Sequence, residues 1–190
     1  TSPGMFPRDQ VAIRYDARGQ FLVYSAGLSQ GQGHETSFAA IVARVLGVPE
    51  TRVSLRESVP GVELAGNHSG GSRSLVGAGS VCHLAARKLV EQARPLAARE
   101  LDTEPSRVDF TDGMFRVRDS DRTLSLLALA ALHGATSPHP FDTLAEASVG
   151  ATWPNGCHVA EVEIDPDTGL TRIVGYVAVD DSGNVINHRS

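Results

Sequence analysis

Apolar positions along the chain fall into short alternating runs and two longer stripes of helical period. Residues 11–15 and 21–26 are apolar-rich and are separated by Asp16-Ala17-Arg18-Gly19, whose aspartate and glycine suit a turn, so the pair predicts a β-hairpin. Phe38, Ile41, Val42 and Val45 then fall at i, i+3, i+4 and i+7, one face of a helix. Gly47 follows as its C′ residue, and Pro49 keeps the helix from resuming. Residues 51–57 alternate, with Val53 and Leu55 on one face, and read as a third strand. A polar stretch with glycine and proline, residues 58–71, leads to the second stripe: Leu75, Ala78, Cys82, Ala85, Leu89, Ala93 and Leu96. Gly77 and Gly79 lie in the first turns of that long helix. Each costs about 1 kcal/mol against alanine in a helix interior, which implies close backbone packing there. Pro95 is expected to kink or restart the helix.

Further on, residues 108–110 and 114–117 predict a second hairpin across the turn 111–113, and residues 124–132 a brief helix stopped by Gly134. Residues 135–140, with two prolines, are the best linker candidate but too short to separate domains. Residues 159–164 turn through Asp165-Pro166-Asp167-Thr168-Gly169 into 172–179, a third hairpin. No sequence repeat or low-complexity segment is present. What recurs is an arrangement of strands, glycine loop and helix, twice in the first half. The expected fold is α+β, a mixed or antiparallel sheet with helices packed on one face.

Composition narrows the function classes. The 190 residues suit one domain or two small lobes sharing a core, and 41% hydrophobic with 21% charged residues is ordinary globular material. A net charge of -5, from 17 basic and 22 acidic residues, argues against a general nucleic-acid or lipid-headgroup surface. No run is long enough to cross a bilayer, and nothing at the N-terminus resembles a signal peptide. Cys82 and Cys157 sit in apolar settings without metal-type spacing and read as two reduced, buried thiols, which suits a cytoplasmic location. The chain starts at Thr1 without methionine and stops at Asn187-His188-Arg189-Ser190 directly after a strand-like run, so a fragment of a longer polypeptide is expected.

Candidate chemistry concentrates in two glycine loops. Ser29-Gln30-Gly31-Gln32-Gly33-His34-Glu35-Thr36 delivers the chain from a strand into a helix N-terminus, where unpaired N–H groups and the helix dipole favour an anion. Gly31 and Gly33 permit positive φ, and Gln32 brings a donor and an acceptor between them. Alone, such a loop also serves simply to turn the chain. A second one strengthens the anion reading: Gly70-Gly71-Ser72-Arg73-Ser74, where Ser72 or Ser74 can cap the next helix and Arg73 adds a fixed charge. The competing reading is a serine-capped helix beside a solvated arginine. His34-Glu35 fails as a zinc motif, because Ser37 and Phe38 stand where the second histidine belongs, and the other six histidines lack ligand spacing. No metal ligand is assigned. A Ser72–His34–Asp181 triad can be drawn but lacks the nucleophile elbow, and no lysine follows the glycines as a Walker loop requires.

Together these segments resemble the molybdenum-binding large subunit of the xanthine dehydrogenase, aldehyde oxidase and aerobic carbon monoxide dehydrogenase family. The likeness rests on five motifs in the family's order: residues 29–36; Leu46-Gly47-Val48-Pro49; residues 70–74; Pro154-Asn155-Gly156-Cys157-His158-Val159-Ala160-Glu161-Val162-Glu163; and Ala178-Val179-Asp180-Asp181-Ser182-Gly183. The resemblance implies a molybdenum hydroxylase holding molybdopterin, often as its cytosine dinucleotide, and inserting oxygen from water into a C–H bond of an aldehyde or N-heterocycle. It implies partners too: the remainder of the large subunit, and iron–sulfur and flavin subunits or domains. By this likeness Gln32, Gly33 and His34 touch the pterin–phosphate region, and Gly70, Gly71, Ser72, Arg73 and Ser74 hold cofactor phosphates.

Two departures stand out. His68-Ser69 occupies the place where many relatives carry small glycine and threonine. The family's later Gly-x-Gly-Leu-x-Glu segment, which bears the catalytic glutamate, does not occur, and neither does the earlier half of the cofactor domain. Residues 1–190 are therefore expected to be part of a molybdopterin cofactor-binding domain, with no catalytic residue and no cofactor retained by the fragment alone. The rival expectations are a free-standing, non-catalytic phosphate- or nucleotide-binding module and, more remotely, a small hydrolase using a Ser–His pair.

Overall fold

The computed structural model describes residues 8–134, 136–150 and 152–187. Two compact units result: residues 1–150 with 186–190, and residues 151–185.

In the first unit the predicted hairpin forms β1 (Asp9–Tyr15) and β2 (Phe21–Ser25), antiparallel, with Val11 opposite Ser25. The chain then runs through α1 (His34–Leu46) into β3 (Val53–Glu57), which lies parallel to β2 with Phe21 opposite Val53. A strand not expected from the sequence, β7 (Thr143–Ala147), pairs antiparallel with the other edge of β1 and completes a mixed sheet in the order β3-β2-β1-β7. Its Thr-Leu-Ala-Glu-Ala run has too little apolar alternation to announce a strand, and pairing to β1 supplies what propensity does not.

The second stripe forms α2 (Ser80–Glu100). Before it, residues Leu75–Gly79 make a π-helical turn, wider than an α-turn. Of the kink or restart expected at Pro95, the restart does not occur: α2 continues through the proline to Glu100. Burial of Leu89, Val90, Ala93, Ala97 and Ala98 on both sides of the proline holds the helix together where isolated propensity would break it. Both helices pack on the sheet: Val11, Ile13, Phe21 and Val23 meet Phe38, Val42 and Leu46 of α1 and Val81, Cys82, Ala85 and Leu89 of α2 in one buried core.

A small antiparallel sheet of β4 (Val108–Thr111), β5 (Met114–Val117) and β6 (Thr123–Ser125) adds Val108, Phe115 and Val117 to that core. The predicted helix starts two residues late, as α3 (Leu126–Leu132), because Leu124 is drawn into β6 and Ser125 caps the helix through Ala128 N–H. The linker candidate at 135–140 lies partly outside the described residues, as do the termini 1–7 and 188–190.

The second unit is the third predicted hairpin, longer than expected: β8 (Asn155–Ile164) and β9 (Thr171–Asp181), antiparallel with a register shift at Glu161/Val162. Cys157 is exposed on β8, which corrects the expectation of a buried thiol, while Cys82 is fully buried in α2 and both are free. β8 and β9 form a two-stranded sheet, and a hairpin of two strands encloses little interior of its own.

Candidate functional site

β2 and β3 are parallel neighbours, so their carboxyl ends point the same way, and both glycine loops depart from them. The first loop joins β2 to α1, and the second follows β3 and enters the π-turn ahead of α2. The carboxyl edge of parallel strands is a usual place for a ligand crevice.

The two loops are stitched together. Gln32 Nε2 donates to Ser69 Oγ at 2.9 Å and to Leu28 O at 3.1 Å, and Ser69 Oγ donates to Leu28 O at 2.8 Å. Gln32 Oε1 accepts the backbone N–H of Gln30. Ser58 adds a further tie, its N–H donating to Ser25 O at 3.1 Å and its hydroxyl to Ala26 O at 3.2 Å. Ser69, a departure from the expected pattern, is thus the residue through which the loops join.

Gly31 has φ 92° and Gly33 φ 77°, the left-handed values anticipated for them. Gly33 is the N-cap of α1 and its carbonyl accepts the first helical bond, from Ser37 N–H at 2.9 Å. The amides of residues 34–36 therefore precede any intrahelical acceptor. Glu35 already uses this terminus: its own backbone N–H first, and then the Ser29 hydroxyl at 2.9 Å, hold its carboxyl below the usual carboxylate range.

His34 faces inward rather than toward solvent. Its ring stacks on Phe38, centroids 4.8 Å apart at 13°, and Nδ1 lies 2.8 Å from Glu57 Oε1 at the end of β3. Nε2 is buried without a hydrogen-bond partner in the described structure. His34 borders a cavity of about 10 Å³ between the loops, shared with Ser25, Gly27, Asn67, His68 and Ser74. Glu57 therefore holds Nδ1, the place that Asp181 would take in the triad drawn from sequence.

In the second loop Gly71 (φ 63°) and Ser72 (φ 51°) are both left-handed. Neither Ser72 nor Ser74 caps a helix: Ser74 precedes the π-turn without a side-chain capping bond, and Gly77 N–H reaches Arg73 O at 2.7 Å while Gly79 N–H reaches Ser74 O at 3.1 Å. The expected serine cap is therefore corrected, since the left-handed turn carries the Ser72 backbone out of a capping geometry. Arg73 is half-buried and paired to the buried Asp9, Nη2 to Oδ2 at 3.2 Å. Its charge is balanced from within the fold rather than by solvent.

Gly77 and Gly79 pack closely, as their cost in a helix implied: a Cβ on Gly77 would stand 2.7 Å from Asp9 Oδ2, and one on Gly79 3.1 Å from Leu75 Cδ1. Asp9, Glu57 and Asn67 were not singled out from the sequence, and Ser69 was noted only as a departure from the family's pattern. Each lies far in the chain from its partner, and only the pairing of β1, β2 and β3 brings them together. Among the described residues no cluster of histidine, cysteine or carboxylate side chains is arranged to hold a metal ion. No helix there is long and apolar enough to cross a membrane.

Two backbone-rich loops at one strand edge, with an orphaned buried imidazole nitrogen between them, suit a polyanionic organic cofactor better than a bare metal ion. Comparison with known proteins gives the class: the chain belongs to the molybdopterin cofactor-binding domain family, whose profile matches residues 1–190. It is 32% identical over 97% of its length to the carbon monoxide dehydrogenase large chain of Hydrogenophaga pseudoflava, covering 23% of that protein. It is 34% identical, again over 97% of its length, to the 6-hydroxypseudooxynicotine dehydrogenase complex subunit gamma of Paenarthrobacter nicotinovorans, covering 24%.

Among solved structures, the Cu,Mo-CO dehydrogenase matches with TM-score 0.83 at 30% identity over 98% of this chain and 24% of that one. Quinoline 2-oxidoreductase from Pseudomonas putida 86 matches with TM-score 0.75 at 32% identity over 95% and 24%. The chain thus spans about a quarter of the length of these relatives. These are large-chain or complex-subunit oxidoreductases, so the family and the α+β fold expected from sequence are established, and the rival free-standing module gains no support.

Proposed function

We propose that this chain is one wall of the molybdopterin site in the large subunit of a molybdenum hydroxylase. The observation that carries the reading is the Gln32–Ser69 hydrogen bond, which sets the two glycine loops side by side at the carboxyl ends of β2 and β3. Molybdopterin, when bound, supplies the redox centre for oxygen insertion into a C–H bond. The chain's own residues bind and orient. The amides opening α1 and the backbone of residues 70–72 supply donors for cofactor phosphates, and Gln32 and Ser69 fix the spacing between them. Gly33 and His34 line the first loop's approach to the pterin, and Ser74 borders the cavity beside it. Arg73 acts by shaping the second loop, its charge already matched by Asp9.

The catalytic glutamate lies outside this chain, and the 190 residues alone have no hydroxylase activity. The substrate is an aldehyde or an N-heterocycle, the pterin carries cytosine dinucleotide, and electrons leave through iron–sulfur and flavin subunits or domains. The test is metal and nucleotide analysis of the full-length large subunit purified with its partners, followed by assays with aldehydes and N-heterocycles. Near-stoichiometric molybdenum with released cytidine nucleotide and hydroxylation of one substrate class is expected. A full-length subunit that lacks molybdenum, or a 190-residue chain that hydroxylates by itself, would overturn the proposal.

A further inference from the structure

We infer that Asp9 is a positioning residue that clasps the second glycine loop in its working shape. The inference rests on the cofactor-site reading above. Asp9 opens β1 and is 4% exposed. Its Oδ1 accepts the backbone N–H of Asn67 at 2.8 Å and the Asn67 side-chain amide at 3.1 Å, and its Oδ2 accepts Arg73 Nη2 at 3.2 Å. Asn67 and Arg73 bracket the loop, so one buried carboxylate holds both ends of it.

The surrounding backbone is cut to fit that carboxylate. A Cβ on Gly77 would lie 2.7 Å from Oδ2, and one on Gly66 would lie 3.5 Å from Oδ1 and 2.7 Å from Ala26 Cβ. Between the anchors Gly70, Gly71 and Ser72 are exposed, and Gly71 and Ser72 hold left-handed φ values, a conformation that persists in a non-glycine residue only when its surroundings impose it. The carboxylate also uses Arg73's charge to shape the loop. What the loop then offers a ligand is its outward backbone donors, whose directions depend on the clasp. A second tie comes from the loop 58–66, where Gln10 N–H donates to Ala65 O at 2.7 Å and Ala65 N–H to Gln10 Oε1 at 2.9 Å, so β1 registers the incoming chain just ahead of Asn67.

Asp9→Asn tests this with little change of shape. A carboxamide has one acceptor oxygen; kept on Asn67, it turns an N–H donor toward the Arg73 guanidinium and removes this carboxylate's hold on that end. In the full-length subunit, stripped of cofactor, trypsin is expected to cleave after Arg73 at least tenfold faster in Asp9→Asn than in wild type, with cleavage after Arg14 and Arg44 unchanged. In the subunit as purified, molybdenum content is expected to fall several-fold while turnover per bound molybdenum stays within about twofold. Asp9→Ala should show both effects more strongly, and Asp9→Glu should restore neither fully, because the added methylene has no room beside Gly77. Wild-type cleavage after Arg73 in Asp9→Asn would overturn the clasp. So would equal acceleration after Arg14, which would make Asp9 a plain anchor for β1. Wild-type protein without molybdenum would count against the cofactor reading, while the tryptic assay on the same protein still decides the clasp.

Discussion

Gln32 spends both amide hydrogens inside the protein, on Leu28 O and Ser69 Oγ. Its loss should therefore be felt as loop spacing. In the full-length enzyme Gln32→Ala is expected to lower cofactor occupancy about tenfold, roughly 1.4 kcal/mol, with turnover per bound molybdenum little changed. Molybdenum analysis beside steady-state rates separates the two, and full occupancy with a collapsed rate would contradict it. Arg73 behaves differently from a solvated arginine. Removing it leaves the Asp9 carboxylate buried without its counter-charge, so Arg73→Ala should destabilise the fold by about 3 kcal/mol in urea titration. Cys82 gives a pH prediction. Burial pushes its thiol up to about 12, against 9.0 when free. Above about pH 9 the unfolded chain loses a proton that the folded chain keeps, so stability falls as pH rises from 9 toward 12, by at most about 1.4 kcal/mol per pH unit. Alkaline unfolding of Cys82→Ala should lack this component, its curve running flatter than wild type across the same window.

At the scale of elements, helix α1 ends where another turn begins. Gly47 is left-handed (φ 61°), its N–H bonded to Ala43 O, and a Cβ there would stand 1.9 Å from Gly113 N. Gly113 and Asp112, with φ 75° and 49°, form the two-residue turn between β4 and β5. Two left-handed turns pressed together leave no space for a methyl group on either. Gly47→Ala combines strain at positive φ with a backbone clash and should cost about 2–4 kcal/mol, read as a drop in urea midpoint without change in slope. A cost below 1 kcal/mol would show that the contact opens readily.

At the scale of the whole molecule, every buried core residue among the described residues belongs to the first unit, between Val11 and Phe141. The hairpin β8–β9 carries Val159, Val162, Ile164, Ile173, Tyr176, Val177 and Val179 exposed, with His158 bonded to the Tyr176 hydroxyl at 2.7 Å and to Asp180 at 3.0 Å as its internal polar ties.

The periodic segments were legible without coordinates. The spacing of Phe38, Val42 and Val45, the alternation of residues 53–55 and the glycines at 31, 33 and 47 specify helix, strand and left-handed turns, because each depends on near neighbours in the chain. The family motifs were legible for the same reason, being contiguous. What tertiary structure alone decided are relations between distant residues. The parallel pairing of β2 with β3 brings both loops to one edge, and β7 becomes a strand only because β1 has a free side. α2 passes Pro95 because its face is buried, and Asp9 meets Asn67 and Arg73 across 58 and 64 residues. A carboxylate that clasps a loop leaves no periodic trace in the sequence, since its partners are chosen by the path of the chain through space.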